Sequence, residues 1–121
     1  MPKLTVVQLN VTDLEEAKDF YCNKVGLELA WGGPMIMFKH DYLIFVANEV
    51  KNVQKITDRD SAPTLLGFEV DDIAATMKDM KGKGVEFADD EPVEFLEGLY
   101  ATFRDPFGNI HQLLELKNKE E

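Results

Sequence analysis

The sequence predicts an α+β fold made of two tandem copies of one unit, each ordered strand, helix, strand, strand, strand. Two amphipathic stretches support this prediction, one opening at Val11 and closing around Gly26, the other opening at Val70 and closing around Gly84. The openings are 59 residues apart and the closing glycines 58 apart, in a chain of 121 residues. Alternating apolar residues flank both stretches, as expected for strands on either side of a helix. A regular internal offset of this size indicates a duplicated unit.

The first unit opens with a strand predicted over residues 4–11, where apolar residues occupy alternate positions. Thr12 with Glu15 has the form of a capping box, and apolar residues at helical spacing then predict a helix from about 13 to 24. The remaining strands of this unit are predicted at residues 27–31, 35–38 and 42–47.

The second unit begins with a strand predicted over residues 64–70. Asp71 or Asp72 caps the helix that follows, and Gly82 and Gly84 end it. The later segments are predicted as a strand at 85–88, an acidic loop at 89–98, and strands at 99–104 and 110–116.

The length and composition favour a single domain over residues 1–121. With 45% hydrophobic residues, the chain has enough apolar side chains for one compact core and is too short for two full-sized domains. The predicted boundaries are a first module at about 3–48, a polar linker at about 49–63 and a second module at about 64–117.

The net charge and the absence of targeting signals narrow the range of partners and locations. A formal net charge of -10 argues against nucleic acid or an anionic membrane as partner, and favours a cation if the ligand is charged. No window approaches the roughly 20 apolar residues that span a bilayer, and the start of the chain lacks an apolar signal core. Cys22 is the single cysteine, which rules out an intrachain disulfide. The sequence therefore predicts a soluble cytoplasmic protein.

Several segments, in this order and spacing, resemble the vicinal oxygen chelate superfamily. They are residues 6–14, 20–21 and 25–27 in the first unit, and residues 67–72 and 101–109 in the second. The superfamily includes glyoxalase I, extradiol dioxygenases, fosfomycin resistance enzymes and bleomycin resistance proteins. The resemblance implies two βαβββ modules whose curved sheets form a cup, and a homodimer as the assembled protein.

The resemblance also implies four positions at which the superfamily's enzymes hold a divalent metal. Here these positions fall on Val6, Leu65, Gln112 and, within a residue or two, Ile44. Three are aliphatic, and a neutral glutamine alone does not hold a catalytic metal. We therefore expect no metal and no other cofactor, and neither metal-dependent glyoxalase nor dioxygenase activity.

The two histidines do not suggest another metal site. His40 lies in a predicted hairpin turn beside Asp41, as is common for a solvated turn residue. His111 neighbours Gln112 and so points to the opposite sheet face, where an interface or surface histidine is the default expectation.

Two function classes remain open. The first is a metal-free small-molecule-binding protein that sequesters a cationic or aromatic compound, as the bleomycin resistance proteins do, and so confers antibiotic resistance. An acidic run over residues 89–97 matches a cationic ligand, although such a run is also common in a solvated loop. The candidate ligand-binding residues are Gln8, Trp31, Tyr42, Glu69 and Gln112.

The second class is a metal-independent isomerase, cyclase or lyase. In that hypothesis Glu69 is the general base, and Gln8 or Gln112 donates to an oxyanion. Binding is favoured over catalysis because no dyad or triad replaces the missing metal ligands. Cys22 lacks a neighbouring base that would make it a nucleophile.

Overall fold

The computed structural model describes residues 2–117 and divides them into two compact units, the first ending at Gln54 and the second beginning at Lys55. Each unit contains a curved mixed sheet with a helix on one face. The described residues form nine strands in total. The predicted α+β fold class, with two modules of βαβββ order, is confirmed. No helix within these residues is long and apolar enough to cross a bilayer.

The first unit forms a four-stranded sheet in the order β1-β4-β3-β2. β1 runs parallel to β4, whereas β3 is antiparallel to both of its neighbours. A short α-helix, α1, continues directly as a π-helical segment in which the backbone is wider than in an α-helix. The elements are β1 (Val6–Val11), α1 (Leu14–Lys18), the π-helical segment (Asp19–Val25), β2 (Leu29–Gly32), β3 (Met35–Phe38) and β4 (Ile44–Glu49).

The helix of the first unit begins one residue later than the capping-box pattern predicted. Asp13, not Thr12, is the N-cap, and its carboxylate accepts a hydrogen bond from the Glu16 N–H at 3.0 Å. A second carboxylate, that of Glu49 at the end of β4, accepts from the Leu14 N–H at 3.1 Å. The helix start is thus stabilised by one local and one distant acidic side chain.

The core of the first unit lies between the helical segment and one face of the sheet. Ala17, Phe20 and Tyr21 are buried on the helical side. Tyr21 contacts Phe38 of β3, with ring centroids 5.7 Å apart, and Phe38 in turn contacts Phe45 of β4 at 5.3 Å. The alternation of apolar residues therefore places one face of each strand in this core.

The second unit forms a five-stranded sheet in the order β5-β9-β8-β6, with β7 also paired to β8. β5 runs parallel to β9, and the remaining pairs are antiparallel. Because β6 and β7 pair with the same strand, they form one interrupted edge strand and the unit keeps its βαβββ order. The elements are β5 (Leu66–Glu69), α2 (Ile73–Gly82), β6 (Glu86–Phe87), β7 (Val93–Phe95), β8 (Gly98–Arg104) and β9 (Ile110–Leu116).

The predicted acidic loop over residues 89–98 is wrong in part, because it contains β7. Val93 pairs with Tyr100 and Phe95 with Gly98 across the β7–β8 hairpin. In the interruption before β7, the Asp89 carboxylate accepts a hydrogen bond from the Thr102 N–H at 2.9 Å. The Asp89 side chain thereby accepts the hydrogen bond that the Thr102 N–H would otherwise donate to a continuous edge strand.

The core of the second unit lies between α2 and the sheet, where α2 packs against β8 and β9. Met77 and Met80 of α2 are buried there, as is Phe103 of β8. His111 belongs to this core, with 1% of its surface exposed and its ring 5.5 Å from that of Phe68. The expectation of a surface or interface histidine is therefore wrong. The helix-facing side of β9 lies under α2, so a residue there is enclosed.

Candidate ligand-binding faces

In each unit the sheet face opposite the helix is called here the open face. On the open face of the first sheet, one row of four side chains crosses all four strands. Its members are Gln8, Val46, Met37 and Trp31. None of the strand residues on this face, from β1 to β4, carries a charge. This face offers apolar, aromatic and amide groups.

Two of the predicted ligand-binding residues of the first unit, Gln8 and Trp31, share this row. Trp31 is 50% exposed, and its indole lies close to Gly33, where an added Cβ would be 3.1 Å from the ring. The Gln8 side-chain amide donates to the Asn10 side chain at 3.0 Å. Aromatic surface is therefore presented to solvent at one edge of the sheet, and a pair of amides lies at the opposite edge.

Tyr42 lies apart from this row, in the turn before β4. It is 81% exposed and its ring contacts that of His40, with centroids 5.7 Å apart. His40 Nδ1 accepts hydrogen bonds from the Tyr42 and Leu43 N–H groups, at 3.1 and 3.2 Å. His40 therefore organises the turn, and the Tyr42 ring is exposed to solvent there.

The positions at which the superfamily's enzymes hold a metal do not fit a metal in this chain. Val6 and Ile44 face each other across β1 and β4. The pairing of Gly67 with Gln112 corresponds, by register, to the pairing of Gln8 with Val46. The counterpart of Gln112 in the first unit is therefore Val46, two residues beyond Ile44 and equally aliphatic. Within residues 2–117, no three His, Cys, Asp or Glu side chains cluster as metal ligands.

The centre of the second open face carries two buried polar groups. Gln112 of β9 and Thr102 of β8 are cross-strand partners, and Thr102 is only 4% exposed. Among the described residues, neither the Gln112 Nε2 nor the Thr102 Oγ1 has a hydrogen-bond partner. A buried polar group left unpaired costs about 1–3 kcal/mol, so such groups are rare without an external partner. This pair, called here the donor pair, is the most distinctive polar feature of the sheet.

A short strap, residues 56–59, is bound to the second unit within the predicted linker. The Ile56 N–H donates to the Gly108 carbonyl at 3.2 Å. The Arg104 guanidinium donates to the carbonyl oxygens of Ile56 and Thr57, the latter at 2.9 Å. This stretch of the linker is therefore held by specific hydrogen bonds.

The strap ends with a contact between Arg59 and Tyr100. The Arg59 guanidinium carbon lies 4.7 Å from the centroid of the Tyr100 ring, in cation–π geometry. Arg104 and Tyr100 lie two residues to either side of Thr102 on β8, and all three share one face. The strap is thus anchored on both sides of the donor pair.

Glu69, the predicted general base, is exposed on the same open face. It pairs in register with Leu114, whose other neighbour is Tyr100. Within residues 2–117, Glu69 makes neither a hydrogen bond nor an ion pair. The residue is exposed to solvent, whereas a general base usually lies in a cleft that holds the substrate. Burial raises the pKa of the Cys22 thiol against the opposing effect of Lys18, which disfavours a reactive thiolate.

Two carboxylates of the acidic run, Asp89 and Glu94, do not project from the second open face. Glu94 pairs with Leu99 and so points to the face opposite that of Tyr100. The Asp89 carboxylate is bound to the backbone of β8. The Asp90 carbonyl accepts from the Lys81 ammonium at 2.9 Å.

The turn between β8 and β9 is built around a buried carboxylate. Asp105 accepts hydrogen bonds from the N–H groups of Phe107 and Asn109 and from the Asn109 side chain, all at 2.8 to 2.9 Å. The His111 Nε2 lies 4.0 Å from the same carboxylate. Burial lowers the pKa of His111 to about 4, although Asp105 acts in the opposite direction. His111 is therefore neutral at pH 7 and part of the scaffold.

A comparison with known families matches this architecture. The family model described as the glyoxalase/bleomycin resistance protein/dioxygenase superfamily matches residues 3–113. The chain belongs to this superfamily. The superfamily predicted from the sequence motifs is thereby confirmed.

Three individual proteins are similar to this chain. The chain is 31% identical to the uncharacterized protein YetH of Bacillus subtilis strain 168, over 93% of this chain and 98% of YetH. It is 25% identical to TnmS3, an antibiotic-binding protein from Streptomyces sp. CB03234, with a TM-score of 0.74 and coverage of 97% and 98%. A glyoxalase/bleomycin resistance protein from the same strain is also 25% identical, with a TM-score of 0.69 and coverage of 93% and 99%.

Proposed function

We propose that this superfamily member is a metal-free small-molecule-binding protein whose ligand contacts the open faces of its sheets. The observation that carries the proposal is the donor pair, Gln112 Nε2 and Thr102 Oγ1, left without partners among the described residues. Gln112 stands where the superfamily's enzymes carry a metal-binding glutamate, so an amide here replaces metal coordination by hydrogen bonding. The similarity to an antibiotic-binding protein supports a ligand of drug size and a role in antibiotic resistance.

The candidate ligand-binding residues retain their proposed roles. Trp31 and Tyr42 supply exposed aromatic surface, Gln8 and Gln112 supply amides, and Glu69 supplies a carboxylate. Most ligand pockets combine a large apolar surface with a few polar groups that orient the ligand. Catalysis by Glu69 is the less favoured alternative because this carboxylate is exposed.

A homodimer is part of the same proposal, together with a single-domain organisation and a cytoplasmic location. Val6 and Ile44 form an apolar pair on the first open face, and they are 51% and 43% exposed. A second copy of the chain is the partner that the superfamily resemblance implies. Sedimentation equilibrium tests the dimer, and cell fractionation tests the location.

Thermal-shift titration of the purified protein tests the binding function. The ligands are divalent metals (Zn, Ni, Mn, Fe and Mg) and a panel of cationic, neutral and anionic aromatic compounds. A specific ligand at 100 times its dissociation constant adds about 2.7 kcal/mol to the free energy of unfolding. A saturable shift with an aromatic compound and none with metals supports the proposal, and a saturable metal shift contradicts it.

The Thr102→Val variant separates an effect on ligand affinity from an effect on the stability of the free protein. Replacing an unpaired buried hydroxyl by a methyl group of similar shape is neutral or stabilising, so the free variant should unfold at the same or a higher temperature. The same variant should bind the ligand about 5- to 10-fold more weakly, because a hydrogen bond of roughly 1 kcal/mol is lost. Gln112→Ala should weaken binding similarly, and Gln54→Ala, at an exposed position, is the control. Unchanged affinity in both test variants would remove the donor pair from the site.

A further inference from the structure

The charge of the open faces differs from the charge of the whole protein. The chain has a formal net charge of -10, yet the strands of the first open face carry no charged side chain. On the second open face and its strap, the carboxylates of Glu69, Glu86 and Asp58 stand against the guanidinium groups of Arg104 and Arg59, and the Asp58 carboxylate accepts from the Ser61 N–H. The surface offered to a ligand is thus much less acidic than the whole chain.

The donor pair selects for an acceptor. The Gln112 Nε2 only donates hydrogen bonds, and the Thr102 hydroxyl both donates and accepts. A ligand atom that satisfies both groups is therefore an oxygen with free lone pairs, such as a carbonyl, carboxylate or phenolate oxygen. An ammonium group has no lone pair and leaves the Gln112 amide unpaired.

Arg59 adds a positive charge next to this pair. Its guanidinium lies over the Tyr100 ring, and Tyr100 precedes Thr102 by two positions on the same face of β8. Arg59 has no carboxylate within salt-bridge distance among residues 2–117. A guanidinium stacked by its face keeps its N–H edge available for oxygen acceptors, which it binds in a fixed geometry.

We infer that the ligand of the second open face is an aromatic compound carrying carbonyl or acidic oxygens, and that Arg59 is a specificity-determining residue. This inference rests on the proposed binding function and narrows it to one chemical class. It replaces the cationic ligand that the composition suggested, because the polar groups at the centre of this face are a hydrogen-bond donor and a guanidinium.

Isothermal titration calorimetry with three probes of the same ring system tests this inference. The probes are 2-naphthoate, 2-acetylnaphthalene and 2-naphthylmethylammonium, which differ in charge and in acceptor oxygens. Naphthoate and acetylnaphthalene should bind at least 10-fold more tightly than the ammonium compound at pH 7.5. Tighter binding of the ammonium compound would overturn the inference and leave the proposed binding function intact.

Two matched variants assign the selectivity to charge. Arg59→Gln should weaken naphthoate binding about 5- to 10-fold with a much smaller effect on acetylnaphthalene, and added salt should reduce this difference. Glu69→Gln should instead strengthen naphthoate binding, because it removes a negative charge from the same face. Lys51→Gln makes the same charge change at an exposed residue of the first unit and should leave all three affinities unchanged. If Arg59→Gln and Lys51→Gln lowered naphthoate affinity equally, Arg59 would act only through the overall charge of the protein. That result would overturn its role as a specificity-determining residue.

Failure of the inference and failure of the proposed function are distinguishable. If no naphthalene probe binds, the wider aromatic panel supplies the test, and the inference fails if every compound that binds is a cation without an acceptor oxygen. If no compound in either set binds, the proposed function itself fails.

Discussion

Acidification should destabilise this protein through one residue, His111. The imidazole is buried beside Phe68 and Phe103 in the core of the second unit. Its pKa in the folded protein is about 4, mainly because burial disfavours the charged form. In the unfolded chain the pKa returns to the usual value of 6.5. Between these two values the unfolded state binds a proton that the folded state does not.

The sign and size of the effect follow from this difference. Stability from neutral His111 is fully present above pH 6.5 and is lost as the pH falls toward 4, since unfolding then takes up a proton. At 1.36 kcal/mol per pKa unit, moving from pH 7.5 to 4.5 should lower the free energy of unfolding by about 2–3 kcal/mol. For a protein with ordinary marginal stability, this is a large fraction of the total.

Urea unfolding at the two pH values, for wild type and His111→Gln, measures this contribution. The variant is less stable at pH 7.5 because the ring contacts are lost, but its loss on acidification should be smaller by about 2–3 kcal/mol. His40→Gln, in an exposed turn, should keep the wild-type loss. The NMR shifts of the His111 ring protons provide a second measurement, and they should report a neutral ring at pH 5. A wild-type acid loss in His111→Gln, together with a charged ring at pH 5, would refute the reasoning.

Three further substitutions test the packing and caps. Gly98→Ala should cost at least about 2 kcal/mol in urea unfolding, because φ is +152° and a Cβ would lie 2.0 Å from the Glu115 carbonyl oxygen. Gly82→Ala should instead be neutral or stabilise by up to about 1 kcal/mol, because an added Cβ would meet nothing within 4 Å. Equal losses of stability in the two glycine variants would contradict the clash argument. Glu115→Gln should destabilise by roughly 1 kcal/mol, because the Glu115 carboxylate accepts from the Ile73 N–H at 2.9 Å at the start of α2. Arg104→Met should speed limited proteolysis after Lys55 at unchanged global stability, because the strap loses its two hydrogen bonds; unchanged cleavage would show that other contacts hold it.

Local pattern was sufficient for the order of the elements and for the face on which each strand residue lies. Alternation placed Val7 and Leu9 toward the helix and Gln8 toward the open face, because successive side chains of a strand point to opposite sides. The duplication of Val11 and Val70 carried the same assignment into the second unit. Element order and strand faces depend on residues only a few positions apart, so the spacing of apolar residues along the chain is enough to predict them.

Sequence pattern did not reveal the features that depend on distant residues. The carboxylates of Glu49 and Glu115 stabilise helix starts 35 and 42 residues away, and neither forms a motif with its partner. β7 escaped prediction because its pairing with β8 outweighs its acidic composition.

The candidate site shows the same division. Its positions at Gln8, Trp31, Glu69 and Gln112 came from residue order and from the superfamily resemblance, both readable along the chain. The environments of those positions depend on what surrounds them in space: the unpaired amide of Gln112 beside Thr102, the strap, and the exposure of Glu69. Net charge is a property of composition, whereas the charge that a ligand meets is set by which side chains the sheets turn toward it. Residue order along the chain is therefore enough to assign the superfamily and the sheet faces, whereas the polarity of those faces depends on side chains that folding brings together from distant positions.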